Sequence, residues 1–155
     1  MRVLVGIGNR LSTDDGVGSI VAQRMAGVPG WTAIDCGTAL ENVVGRIGRD
    51  EPDAVILVDA ARMGLPAGSI RRLPMPSADR MLVSTHGLPL SFALERVTIR
   101  VPCVTLVGIE PGDLSLGEGL SPAVSRAADR LVSILLGEEL DAVEEWRAGR
   151  RDEEP

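Results

Sequence analysis

The chain has 155 residues, 45% of them hydrophobic and 25% charged, with one Phe, two Trp and no Tyr, which suits one soluble domain with an aliphatic core. Its net charge of −6 lies mostly at the end, where residues 138–155 hold eight acids and three arginines. The body has no basic field, which excludes nucleic acid as a partner, and all 16 basic residues are Arg, which excludes Schiff-base chemistry and a phosphate-loop lysine.

Met1 leads at once into the apolar run Val3-Leu4-Val5. No signal-peptide pattern and no membrane-length apolar span follows, so a cytoplasmic protein without a membrane partner is expected. Val3–Ile7 reads as a strand buried on both faces. From Gly16, the residues Val17, Ile20, Val21 and Met25 recur at helical spacing until Gly27 and Pro29 stop them. Trp31–Cys36 is a second strand. Thr38 and Glu41 have the spacing of a capping box, in which each side chain satisfies an orphan amide, and open a helix reaching about Arg49.

Ala54–Val58 is apolar throughout and ends at Asp59, the pattern of a central strand. Gly68–Leu73 is weaker and edge-like, stopped by Pro74 and Pro76. Ser84, Thr85 and His86 open a helix with Leu90, Ala93, Leu94 and Val97 on one face. Val101–Ile109 is a further strand that would carry Cys103 into the core, closed by Glu110-Pro111-Gly112. Ser121 is an N-cap before Pro122 at the first helical position, and Val124, Ala127, Ala128, Leu131 and Leu135 form the buried stripe of the last helix. Cys36 and Cys103 lack any metal spacing and are expected as free thiols.

Alternating strands and helices predict a single-domain, three-layer α/β/α sandwich around a mostly parallel sheet. The domain is expected over 1–137, with 138–155 an acidic, partly disordered C-terminal tail. In such a sheet, ligands bind outside the carboxyl ends of the strands. Asp14, Asp15, Asp35, Asp59 and Glu110 all fall at such ends, and the loop of His86 reaches the same rim if its helix begins there.

The segment VGIGNRLSTDDGVG, residues 5–18, has the glycines of a phosphate loop. It lacks the third glycine of a dinucleotide fingerprint, its helix starts too late, and two aspartates would repel phosphate. A cation or a shared proton relieves carboxylate crowding instead. Oxygen and imidazole donors together suit a borderline divalent metal, and two carboxylates sharing a proton would activate water. The residues alone allow both. They also allow blander roles: helix-dipole acids at Asp14-Asp15, a turn aspartate at Asp59, and a capping His86.

Gly8-Asn9-x-Leu11-x-x-Asp14-Asp15-Gly16-x-Gly18 resembles the opening signature of the [NiFe]-hydrogenase maturation endopeptidases. The resemblance continues through Asp35-Cys36-Gly37-Thr38, Val58-Asp59-Ala60, Ser84-Thr85-His86, Gly108-Ile109-Glu110-Pro111 and Leu120-Ser121. It implies an α/β/α fold and an endopeptidase that removes the C-terminal extension of a hydrogenase large-subunit precursor after nickel insertion. It also implies that Asp15, Asp59 and His86 are the catalytic and metal-contacting trio, with Asp14 ordering the loop. The nickel would be carried by the substrate, with no tightly held cofactor of the protein's own. A non-cleaving, metal-binding maturation chaperone and a small-molecule hydrolase using the acidic rim are the alternatives.

Overall fold

The computed structural model describes residues 1–74 and 95–147, and its strands follow the apolar runs. β1 (Arg2–Ile7), β2 (Trp31–Gly37), β3 (Ala54–Ala60), β4 (Ile70–Leu73) and β5 (Val104–Ile109) form one sheet in the order β2-β1-β3-β5-β4. Neighbouring strands are parallel, except that β4 runs antiparallel to β5 at the edge. β1 and β3 lie inside the sheet and are buried along nearly their whole length. That is why they read as continuous apolar runs and not as alternating ones.

Alternate residues of these strands feed two cores. Val3, Val5, Val55, Leu57 and Leu106 pack with Val44 and Ile47 of α2 (Val44–Asp50) and with Val97. Leu4, Ile56, Val58, Val107 and Ile109 pack on the opposite face, against α1 (Val17–Arg24) and α3 (Pro122–Leu136). The expected α/β/α layering is therefore present. Among the described residues, no helix is long and apolar enough to cross a membrane.

Strand order decides where a ligand can enter. The chain leaves β1 through α1 to reach β2 on one side, whereas β3 lies on the other side of β1 and leads on toward β5. Connections that diverge in this way leave a crevice at the carboxyl ends of the two strands between them. Here those strands are β1 and β3.

Three local expectations change. The Thr38–Glu41 capping box does not form: Leu40–Asn42 is a 3-10 turn without a side-chain cap, and α2 starts only at Val44. Burial of Leu40 and Val44 in the core directs this turn, so tertiary packing outweighs local capping. β5 starts at Val104, after Pro102, which has no amide to give a ladder, and Cys103 is exposed instead of buried. Ser121 does precede Pro122 at the start of α3, but its hydroxyl makes no cap; it donates to Asp14 instead. Both cysteines are free thiols.

Past α3, the chain turns back along the outer side of β4. The Arg72 Nε donates to the Val143 carbonyl at 2.7 Å, and the Trp146 indole N–H donates to the Met63 carbonyl at 3.1 Å. The Trp146 amide also donates to the Arg72 carbonyl at 2.8 Å. This contact covers part of an edge that would otherwise offer unpaired backbone groups.

The glycines of residues 5–18 serve close backbone approach. None of the four has a positive φ, so a special turn conformation is not what requires them. A Cβ on Gly18 would fall on the carbonyl oxygens of Ile7 and Val58, and one on Gly6 would fall on the carbonyl of Gly18. α1 is thus seated directly on the ends of β1 and β3. Gly18→Ala forces backbone apart and is expected to cost roughly 3 kcal/mol. Gly45→Ala, within α2 and facing open space, is expected to gain about 0.5–1 kcal/mol. Urea midpoints of the two variants check the contrast, and equal midpoints would contradict it.

Candidate functional site

The loop after β1 is stitched to the loop after β5. The Thr13 amide donates to the Gly117 carbonyl at 2.9 Å, and the Gly117 amide donates to the Leu11 carbonyl at 2.8 Å. Asp14 is the centre of this joint and is fully buried. Its Oδ2 accepts from the Gly112 and Asp113 amides, both at 2.8 Å, and from the Ser121 hydroxyl at 2.7 Å. Its Oδ1 accepts from the Ser121 amide at 2.7 Å. Both oxygens of Asp14 therefore hold the loop after β5 in place, a structural task that agrees with its expected role.

Asp15, the next residue, is only partly buried. It lies in the 3-10 turn Thr13–Gly16, which packs against β3. Asp59 lies within β3, one residue before its end, and is fully buried. Its Oδ1 accepts from the Ala60 amide at 2.8 Å, and strand alternation puts it on the same face as Val55 and Leu57. The turn of Asp15 and the end of β3 thus border the same β1/β3 crevice. His86, with Ser84 and Thr85, lies outside the described residues. Among the described residues, no three His, Cys, Asp or Glu side chains gather as a metal site.

The other two rim acids are engaged elsewhere. Glu110 is nearly buried, and its carboxylate accepts from the Met63 amide at 2.8 Å and the Leu65 amide at 3.0 Å. It shapes the loop that follows β3. Asp35 accepts from the Ser19 hydroxyl at 2.7 Å and the Gly37 amide at 3.1 Å, fastening the end of β2 to α1. Sequence reading missed Ser19, a buried serine on the apolar face of α1; its mismatch with that face was the available signal.

Cys36 reports the field at this edge. Burial pushes its thiol up to about 12, and the negative charges of Asp35 and Asp59 push in the same direction. A thiol raised from its ordinary value near 9 stays protonated at neutral pH and draws on stability as the pH climbs from 9 toward 12. Only thiolate reacts with alkylating reagents. Iodoacetamide at pH 8 is therefore expected to label exposed Cys103 and spare Cys36, as peptide mass mapping would show; prompt labelling of Cys36 would contradict this.

Comparison with known proteins gives the family and the fold. Residues 17–138 match the family model described as hydrogenase maturation protease; Asp14 and Asp15 stand just before that span. The hydrogenase 3 maturation protease of Escherichia coli (strain K12) is 31% identical over 138 residues, covering 87% of this chain and 88% of that protein. The solution structure of the endopeptidase HycI from Escherichia coli superposes with a TM-score of 0.86 at 27% identity, covering 97% of this chain and 99% of its own. The crystal structure of the [NiFe] hydrogenase maturation protease HycI from Thermococcus kodakarensis KOD1 gives 0.76 at 33% identity, covering 90% and 92%.

Proposed function

The chain belongs to the hydrogenase maturation proteases, and from that premise we propose that it removes the C-terminal extension of a [NiFe]-hydrogenase large-subunit precursor once nickel is in place. Asp15, Asp59 and His86 are the residues proposed to meet that nickel. The observation that carries this reading is the shared crevice: the turn of Asp15 packs against β3, which ends just past Asp59, at the point where the connections of β1 and β3 diverge.

The donor chemistry supports the same reading. Two carboxylates and one imidazole suit a borderline divalent ion such as nickel. Three protein donors leave coordination positions for groups of the substrate, so an ion that arrives with its own partial ligand set is accommodated. The nickel is then part of the substrate, and the protein needs no resident metal. Asp14 sits beside this chemistry without sharing it, because its oxygens already accept four hydrogen bonds.

The experiment is to incubate the purified protein with a matched, nickel-loaded precursor and to weigh the products by mass spectrometry. The expected result is one shortened large subunit and one released C-terminal peptide. A precursor that is bound but left intact would favour a non-cleaving chaperone, and one that is ignored would favour a small-molecule hydrolase.

A further inference from the structure

A groove of about 650 Å³ runs along the carboxyl ends of β1 and β2, and its lining includes Asn9, Arg10, Leu11, Thr38 and Glu118. It adjoins the candidate site through the backbone: the Asn9 amide donates to the Asp15 carbonyl at 3.1 Å. Leu11 is 58% exposed although its backbone is held on both sides. The Asn9 Oδ1 accepts from its amide at 3.0 Å, and its carbonyl accepts from Gly117. A large apolar side chain kept in water on a stitched loop gains free energy when a partner covers it.

Arg10 stands beside it. Its Cα and Cγ lie against Gly16, where an added Cβ would come within 2.8 and 3.2 Å of them, so the stem is seated against the residue that follows Asp15. Its side chain is exposed and lines the groove; like Arg49, Arg62 and Arg100 it makes no ion pair among the described residues, whereas Arg2, Arg24, Arg46, Arg71 and Arg72 do. A guanidinium that lines a groove and has no ion-pair partner among the described residues is suited to a carboxylate of a segment bound there.

We infer that this groove holds an extended segment of the protein substrate, with an apolar side chain on Leu11 and an acidic side chain on Arg10, so that Arg10 is a specificity-determining residue. The inference rests on the reading that the chain cuts a protein precursor. The segment lies alongside Asp15, so its contacts steer the precursor chain past the crevice. Glu118, lining the same groove, opposes a second acid, so the match to Arg10 is positional and not a general preference for acidic sequence.

Steady-state processing of nickel-loaded precursor at low ionic strength tests this with wild type, Arg10→Gln and Arg10→Glu. Arg10→Glu is expected to raise KM about tenfold with kcat within about twofold, and Arg10→Gln to raise KM less. Added NaCl raises the wild-type KM and leaves that of Arg10→Gln nearly flat. Replacing single acidic residues near the cut with Lys restores Arg10→Glu at one position. A wild-type KM for Arg10→Glu overturns the inference, and so does a raised KM that no acidic position rescues. Wild type that cuts no precursor overturns the underlying reading instead, so the two failures are distinguishable.

Discussion

Asp15→Asn and Asp59→Asn are each expected to lower precursor processing by about a thousandfold or more, with the unfolding temperature held within about 4 °C of wild type. Asn keeps the size of Asp and one accepting oxygen. In Asp59→Asn that oxygen still takes the Ala60 amide that the carboxylate holds at 2.8 Å, so the strand end is preserved while its charge is lost. On the proposed reading, the charge is what a metal-bearing substrate requires. His86→Ala is expected to behave like the two aspartate variants. Gel mobility of the precursor and thermal unfolding of each variant check activity and fold separately; wild-type processing by any one of the three removes that residue from the site.

Asp14→Asn is expected to give the opposite profile, a loss of roughly 3 kcal/mol in stability with much of the activity kept in the folded protein. Four donors converge on this buried carboxylate, and hydrogen bonds to a charged acceptor contribute about 1.5–3 kcal/mol each, less when they share one group. The Asn side chain turns an NH₂ toward amide donors, so the loop from Gly112 to Ser121 loses its anchor. A domain of this size has about 5–15 kcal/mol in all, so the change is large in a urea titration. At low temperature, where the variant is folded, processing is expected within about tenfold of wild type. A variant that melts like wild type yet is inactive would reverse the assignment within the Asp14-Asp15 pair.

The contrast between these neighbours shows what was legible in the sequence. The strands, the edge character of β4 and the three layers followed from hydrophobic period and run length, because burial on one or two faces writes that period directly into β1, β3 and α3. The rim of acids followed from the strand-end rule. What each acid does there did not follow from that rule, and only the loop-ordering role of Asp14 was expected, from the family resemblance, because a role depends on which backbone amides reach the carboxylate. Glu110 and Asp14 are both occupied by amides from loops distant in the chain, at Met63, Leu65, Gly112 and Asp113. The failed capping box has the same origin: Thr38 and Glu41 have the right spacing, but the burial of Leu40 sets the turn. The glycines were legible as a loop signal, whereas their reason, α1 seated on the ends of β1 and β3, emerged only from the packing.

The central claim is that this peptidase cuts only a precursor whose nickel has been inserted. It is tested most directly by presenting wild-type protein with the same large-subunit precursor in nickel-loaded and nickel-free forms, and following the shift to the shorter product. The account predicts processing of the loaded form and an unchanged nickel-free form over the same time. Equal processing of both would contradict it, and would reduce Asp15, Asp59 and His86 to groups that act without the substrate's metal.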